Sequence, residues 1–206
     1  MRIISLFYGW LLSLFCITAW GRDVLVEFKG ACFFAPGSTF KDIYNKAPIF
    51  GPEITIQLLE RCPWYAFGSL DFLNKHGHSL GLETMTKAKI MSWAFGFKCL
   101  AHSLFGDAYF GVGIQKDYLK TKNYSPDVIP CTSDSGLGAI IKCGLICDLG
   151  YDLFIDYFAD FSFVRVGSNQ GVAQCCNSDV IIPPTVVPLK ADLASIIFGI
   201  GLGCRF

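Results

Sequence analysis

The chain has 206 residues, balances 17 Lys and Arg against 17 Asp and Glu, and is 52% hydrophobic and 15% aromatic. A net charge of zero argues against a nucleic-acid partner, because nucleic-acid binding depends on neutralising phosphates. Few charges and many aromatic residues are the opposite of a disordered composition, and this length suits one domain. We therefore expect a single folded unit.

The first 21 residues have the organisation of a secretory signal peptide. Arg2 supplies a positive start, residues 3–17 are apolar, and Ala19 and Gly21 place small residues before a cleavage site. No other run in the sequence approaches the roughly 20 apolar residues of a membrane-spanning helix. We expect residues 1–21 to be removed and residues 22–206 to form the folded domain. An uncleaved anchor is the alternative.

The remaining sequence consists of short segments in which apolar and polar residues alternate, separated by Gly, Pro, Asn and Asp. Such period-2 alternation is typical of β-strands. The connections between the segments alternate between short and long, which is the plan of an up-and-down antiparallel barrel. The eight predicted strands are residues 23–34, 49–60, 64–74, 87–100, 108–118, 136–148, 153–166 and 191–206.

One face of every predicted strand is almost entirely apolar, as with Phe198, Ile200 and Leu202 in the last strand. The interior of an eight-stranded barrel is only just wide enough to be filled by side chains, so it cannot hold all these bulky groups. We therefore place the apolar face against lipid and the small and charged residues inside. This arrangement predicts a transmembrane barrel.

The inward face carries charges of both signs, close enough to pair, among many glycines. Such an interior is filled by an ion-paired, hydrogen-bonded network and is not an open pore. The residues predicted to form this network are Glu27, Lys29, Glu53, Asp71, Lys98, Lys142, Asp156, Asp160 and Arg205.

The signal peptide, eight alternating strands, alternating loop lengths and a last strand ending in Phe206 resemble the small outer-membrane β-barrel family that includes the membrane domain of outer membrane protein A and outer membrane protein X. The resemblance implies an all-β, eight-stranded antiparallel up-and-down transmembrane barrel in a bacterial outer membrane, with periplasmic termini and extracellular long loops. It also implies that Phe206 signals to the barrel-assembly machinery. We expect a structural or surface-interaction role, contact with outer-membrane lipid, and no cofactor or metal.

A lipid-modifying hydrolase is the alternative hypothesis, and a narrow channel is a third. His76, His78 and Ser79 lie together in the second long connection, with Glu83 nearby. A serine nucleophile needs a base within hydrogen-bond reach and an acid that orients the base, so His78, Ser79 and Glu83 are the catalytic candidates. A polar loop around a glycine turn explains the same residues more simply.

Cysteines provide a further hypothesis, because ten are present and removal of Cys16 with the signal peptide leaves an odd number. Four are predicted at one rim of the barrel: Cys62, Cys99, Cys147 and Cys204. Alternate strands lie roughly 9 to 10 Å apart, which exceeds the approximately 7 Å limit for a disulfide. These cysteines either act as small lipid-facing hydrophobic groups or form cross-links to other envelope proteins. At the other rim, Cys131 is a candidate partner for Cys175 or Cys176.

Four lysines flank the rim that carries the long connections: Lys87, Lys89, Lys120 and Lys122. At this rim they would be near the phosphates of lipopolysaccharide. The simpler interpretation, which we expect, is that they mark the water boundary.

Overall fold

The computed structural model describes residues 23–34, 46–59, 62–78, 85–103, 106–123, 131–167, 190–192 and 194–206. The elements in these ranges are all strands: β1 Val24–Phe34, β2 Lys46–Gln57, β3 Trp64–His78, β4 Met85–Ser103, β5 Gly106–Asn123, β6 Cys131–Gly150, β7 Leu153–Gly167, β8 Lys190–Asp192 and β9 Ser195–Arg205. Within them, no helix is long and apolar enough to cross a membrane.

The strands form one closed antiparallel sheet. Each strand from β1 to β6 pairs with the next along the chain, and β9 pairs with both β7 and β1. The short strand β8 also pairs with β7, so β8 and β9 are two parts of one interrupted strand. The predicted eight-stranded up-and-down barrel is confirmed.

Short connections join the strands at one rim, here called the short-turn rim. Ser103 pairs directly with Gly106, so the turn between β4 and β5 is shorter than the predicted connection over residues 101–107. Between β6 and β7, Tyr151 and Asp152 have positive φ values of 55° and 61°, as in the type I′ turns that match the twist of a hairpin. The opposite end of the barrel is the long-loop rim.

Several strands continue further toward the long-loop rim than the apolar alternation predicted. β4 begins at Met85 and β5 continues to Asn123, and their pairing reaches Thr86 with Asn123. The added residues are mostly polar, and the backbone ladder continues because hydrogen bonding between strands does not require apolar side chains. The hydrophobic pattern therefore marked the apolar band and not the strand ends.

Side chains alternate between the outside and the inside along each strand. The outside carries large apolar groups such as Phe95, Phe110, Ile114 and Phe198, which are 54%, 56%, 60% and 51% exposed. A soluble protein does not expose so large an apolar surface to water, so another apolar phase must cover it. The alternation in the sequence placed these residues on the correct face.

The interior is more apolar than the sequence predicted, because rings as well as charges are buried inside. Phe154 and Phe158 are buried there, together with Tyr65 and Tyr109. Phe154 stands over a glycine: a Cβ at Gly203 would lie 2.4 Å from its Cζ atom. The inward-facing glycines therefore provide the space that large interior side chains fill.

Candidate functional site

Glu53 on β2 lies at the centre of a group of buried charges inside the barrel. Its Oε2 atom accepts hydrogen bonds from Lys29 Nζ at 3.0 Å and from Lys142 Nζ at 3.1 Å. The Nζ atom of Lys98 donates to the other oxygen, Oε1. Lysines from β1, β4 and β6 thus converge on one carboxylate, which joins distant parts of the barrel wall across the interior.

Further carboxylates complete the group. Lys142 Nζ lies 2.6 Å from Asp160 Oδ2, and Lys29 Nζ lies 3.4 Å from both Asp156 Oδ2 and Glu27 Oε1. The Tyr109 hydroxyl donates to Asp156 Oδ2 at 2.8 Å. We call these residues the charge cluster: Glu27, Lys29, Glu53, Lys98, Lys142, Asp156 and Asp160.

The charge cluster is almost completely removed from water, since every member is 5% exposed or less. Interior rings cover the ammonium groups: Lys29 Nζ lies 4.4 Å from the Phe158 ring centroid, and Lys98 Nζ lies 4.4 Å from that of Tyr109. Such cation–π contacts strengthen when both groups are desolvated. Buried charges are tolerated only when they are paired, so removal of one member would leave its partners buried with an incomplete set of contacts.

Two of the predicted network residues lie outside the charge cluster. Asp71 is half-buried on the inward face of β3 and forms no ion pair with any residue that the structure describes. Arg205 lies near the short-turn rim, where its Nη2 is 2.7 Å from Asp107 Oδ2 and its Nη1 is 3.5 Å from Asp148 Oδ2. His102 Nδ1 lies 2.6 Å from Asp107 Oδ1.

The contacts of Arg205 join β9 to β5 and β6, and so form a second bridge across the interior. Sequence reasoning did not find Asp107, because it placed this residue in a connection. The signal was present, since Asp107 precedes Tyr109 and Gly111 at the spacing of inward-facing residues.

Phe206 extends the pairing that closes the barrel. Its amide donates to the Val24 carbonyl at 2.9 Å, and the Val24 amide donates to the Phe206 carbonyl at 3.0 Å. The Phe206 ring is 62% exposed at the short-turn rim. An exposed aromatic side chain at this rim is accessible to a partner.

Cys62, in the turn between β2 and β3, and Cys204, near the end of β9, lie toward the short-turn rim and are partly exposed. Cys99 on β4 and Cys143 on β6 both pair with Phe110 on β5, so two strand spacings separate them. That separation is about 9 to 10 Å, too far for a disulfide.

Several predicted residues fall outside what the structure describes. They are residues 1–22, Ser79, Glu83, Cys175 and Cys176. For His78, the last residue of β3, and for Cys131, the first of β6, the backbone is described but the side chain is not. The hydrolase candidates and the Cys131 disulfide are therefore untested by the geometry.

No protein-family model and no curated protein matches the chain. Similar solved structures exist, among them a major outer membrane protein from Thermus thermophilus, with 13% identity, a TM-score of 0.55, and coverage of 90% of this chain and 99% of that one. The outer membrane protein OprG from Pseudomonas aeruginosa gives 12% identity, a TM-score of 0.54, and coverage of 89% and 95%. A third structure is that of Ail, the attachment invasion locus protein of Yersinia pestis, in complex with the heparin analogue sucrose octasulfate. It has 13% identity, a TM-score of 0.52, and coverage of 90% of this chain and 97% of that one.

At these identities the likeness is one of fold. The chain has the fold of small outer-membrane β-barrels, as the resemblance in the sequence predicted. These structures give no support to the hydrolase alternative.

Proposed function

We propose that this chain is an integral outer-membrane β-barrel with a structural or surface-interaction role and a filled, non-conducting lumen. The main observation behind the proposal is that the outer face of the barrel is apolar while the inner face holds buried charges. Large apolar side chains such as Phe110 and Leu137 face outward, while Glu53 and Lys142 are buried inside. Lipid is the phase that matches this outer surface.

The orientation follows from the plan of small barrels. The short-turn rim and both termini lie in the periplasm, and the long loops lie outside the cell. The signal peptide at residues 1–21 directs export, and Phe206 is the terminal aromatic residue that the barrel-assembly machinery reads. The exposed position of its ring supports this role.

The lumen is filled because side chains from opposite walls meet within it. Glu53 on β2 contacts Lys142 on β6, and Arg205 on β9 contacts Asp107 on β5. Together with the interior rings, these bridges occupy the centre of a barrel that has little spare width. This arrangement favours a structural or surface-interaction role over a channel.

Two tryptophans test membrane insertion. After removal of the predicted signal peptide, only Trp64 and Trp93 of the four tryptophans remain, and both are about half exposed on the outer face. In vesicles of phosphatidylcholine with brominated acyl chains, we expect quenching of their emission. A mature chain that folds in buffer without lipid or detergent, with unquenched emission, would overturn the membrane assignment.

Planar-bilayer recording tests the lumen separately. We expect folded protein, identified by its heat-modifiable band on a detergent gel, to give no regular conductance steps. Reproducible single-channel steps from protein that passes the tryptophan test would exclude the filled lumen and leave the barrel assignment intact.

Cross-linking to other envelope proteins is a second candidate function, favoured by the position of Cys62. This residue is partly exposed in a turn at the short-turn rim, where a periplasmic partner can reach its thiol, whereas cysteines on the apolar outer face are covered by lipid. A cross-link would form by exchange with a periplasmic disulfide: two thiols lose their protons and join, and the oxidant accepts two electrons and becomes a dithiol.

Non-reducing gels of isolated envelopes test this candidate. We expect high-mass species that disappear on reduction and that Cys62→Ser weakens most. Cys99→Ser is the matched control, because Cys99 is partly exposed on the apolar face of β4. A gel pattern that Cys62→Ser leaves unchanged would support the role of these cysteines as small hydrophobic groups.

A further inference from the structure

The charge cluster contains four carboxyl groups and three ammonium groups, so it has one excess negative charge if all seven are ionised. Half-buried Asp71 would add to this excess. Arg205 does not offset it, because Arg205 already contacts Asp107 and Asp148. Within the described residues, no cation beyond the three lysines forms an ion pair with the cluster. A net buried charge is costly, and a buried carboxyl group avoids that cost by keeping a proton.

Two of the four carboxyl groups form strong hydrogen bonds with lysines. Glu53 accepts from three ammonium groups. Asp160 Oδ2 accepts from Lys142 Nζ at 2.6 Å. Hydrogen bonds from a cation to a carboxylate favour its ionised form. The excess proton is therefore not on Glu53 or Asp160.

Glu27 has the weakest contacts of the four carboxyl groups. Its Oε1 atom lies 3.4 Å from Lys29 Nζ and 4.0 Å from Lys98 Nζ. Both of these ammonium groups lie closer to Glu53 than to Glu27. The Oε2 atom of Glu27 is buried and has no hydrogen-bond partner among the described residues. The Glu27 side chain therefore gains least from being ionised.

An acceptor for a proton on Glu27 lies beside the same glycine, Gly201. This residue of β9 pairs with Lys29 on β1 and with Asp156 on β7. A Cβ at Gly201 would lie 2.5 Å from Glu27 Oε2 and 3.4 Å from Asp156 Cβ. Like Glu27 Oε2, the Oδ1 atom of Asp156 is buried without a hydrogen-bond partner in the described part of the chain. One proton between these two oxygens would give each of them a partner.

We propose that Glu27 binds a proton in the folded barrel at neutral pH, as a neutral carboxylic acid whose Oε2–H group donates to Asp156 Oδ1. The three remaining carboxylates of the charge cluster then balance its three ammonium groups. Neighbouring buried carboxyl groups share a proton in this way because ionising both is costly. The charged groups that face Glu27 are Lys29, Glu53, Lys98 and Asp156, and β9 contributes glycines there.

This proton site makes the stability of the barrel depend on pH. The folded chain holds the proton, whereas the Glu27 side chain of the unfolded chain releases it above about pH 4.3. Folding above that pH therefore takes up one proton, and the folded barrel becomes less stable as the pH rises. The inference goes beyond the proposed function, because it concerns the interior whichever membrane surrounds the barrel.

Infrared spectroscopy tests the protonation directly. The mature wild-type chain, Glu27→Gln and Asp148→Asn are folded into vesicles of an ether-linked phosphatidylcholine, which has no ester carbonyl band. At neutral pH, we expect the difference between wild type and Glu27→Gln to contain the carbonyl stretch of a protonated carboxyl group. The difference between wild type and Asp148→Asn should contain carboxylate bands, because Asp148 is an exposed acid beside Arg205. Carboxylate bands in the Glu27→Gln difference would overturn the inference.

Urea titration at a series of pH values tests the effect on stability. At neutral pH, Glu27→Gln should be at least as stable as wild type, because one neutral side chain replaces another of the same size. Glu53→Gln, which removes an ionised carboxylate, should be destabilised at the same pH. Above about pH 5, the unfolding constant of wild type relative to Glu27→Gln should rise by up to about tenfold per pH unit.

Two results of this titration would contradict the proton site. A ratio of unfolding constants that does not change with pH would mean that folding takes up no proton at Glu27. A Glu27→Gln chain that gives no folded band, or a barrel as unstable as Glu53→Gln, would mean that a neutral side chain cannot replace Glu27.

A bound metal cation is the other way to balance the charge cluster, although the described residues contain no group of three or more His, Cys, Asp or Glu that could hold a metal ion. Repeating the urea titration in sodium, potassium or choline chloride separates the two. We expect the stability of wild type relative to Glu27→Gln to be the same in all three salts. If sodium or potassium stabilises wild type but not Glu27→Gln, a metal ion occupies the site and the inference is overturned.

Discussion

The inside and the outside of this barrel are made by the same strands but specified in different ways. Inside, each charged group has particular partners at particular distances, as between Lys142 and Asp160 at 2.6 Å. Outside, residues such as Phe198, Ile200 and Leu202 have only to be apolar, because lipid chains adapt to their shape. An interior side chain therefore needs its particular partners, whereas an exterior side chain needs only to be apolar.

This difference predicts different sensitivities to substitution. Removing one member of an interior set leaves its partners buried and unpaired, and this penalty exceeds the loss of the contact itself. On the outside, exchange of one apolar residue for another changes little, but introduction of a charge is costly.

The largest effect is expected from Glu53→Gln. The substitution keeps the size of the side chain but removes the charge that Lys29, Lys98 and Lys142 share. Breaking a buried ion pair by removing one partner typically costs about 3 to 5 kcal/mol. Urea titration of the barrel in vesicles, followed by tryptophan fluorescence, should show this loss in the free energy of unfolding.

Asp148→Asn is the matched control for Glu53→Gln. Asp148 also contacts a cation, at 3.5 Å from Arg205, but its side chain is 60% exposed at the short-turn rim. Exposed pairs of this kind contribute about 0 to 1 kcal/mol. If the two variants lose the same free energy of unfolding, burial does not make the ion pairs of the charge cluster more sensitive than those at the rim.

The next largest effect is expected from placing an arginine on each face of β9 in turn. Phe198→Arg puts a cation in the apolar band, at a cost of about 2 to 4 kcal/mol if the band lies at the bilayer midplane. Ile197→Arg puts it inside, opposite Asp160 on β7, where overpacking costs about 1 to 3 kcal/mol. Phe198→Arg should therefore reduce the heat-modifiable folded band more.

A reversed order would mean that the faces are exchanged, since a shift of one residue moves every side chain of a strand to the other face. Equal effects would argue that β9 does not separate two environments at this point. The comparison is sharp because both variants carry arginine, one residue apart.

The sequence predicted the barrel but not the contacts inside it. Alternation gives the face of each residue, so the positions of Lys98 and Phe198 followed from period 2 alone. Which interior residues meet depends on the relative heights of strands on opposite walls, and alternation does not determine these. The contact of Glu53 with Lys142, across β2 and β6, therefore needed the structure.

The apolar part of the interior was missed for a related reason. Alternation puts Phe67 on the inward face, which was expected to carry small and charged residues; its ring fits there because it lies beside glycines of neighbouring strands, and a Cβ at Gly96 would be 2.7 Å from its Cε1 atom. Recognising this fit requires the register between strands. The candidates His78, Ser79 and Glu83 stay predictions, because their side chains lie outside the described part of the chain.

The smallest effect tests how tightly the two faces are packed, through two glycines in adjacent strands. A Cβ at Gly203, on the inward face of β9, would lie 2.4 Å from Phe154 Cζ and 2.6 Å from the Val26 carbonyl oxygen, whereas one at Gly30 on β1 meets nothing within 4 Å. Gly203→Ala should therefore destabilise the barrel by about 1 to 3 kcal/mol through overpacking. Gly30→Ala should leave stability unchanged or raise it by up to about 1 kcal/mol, because alanine loses less backbone freedom on folding. Urea titration in vesicles measures the free energy of unfolding of both variants. If the Gly203→Ala barrel is as stable as the Gly30→Ala barrel, the Phe154 ring moves aside to admit the new methyl group. The interior would then be packed as loosely as the lipid-facing surface.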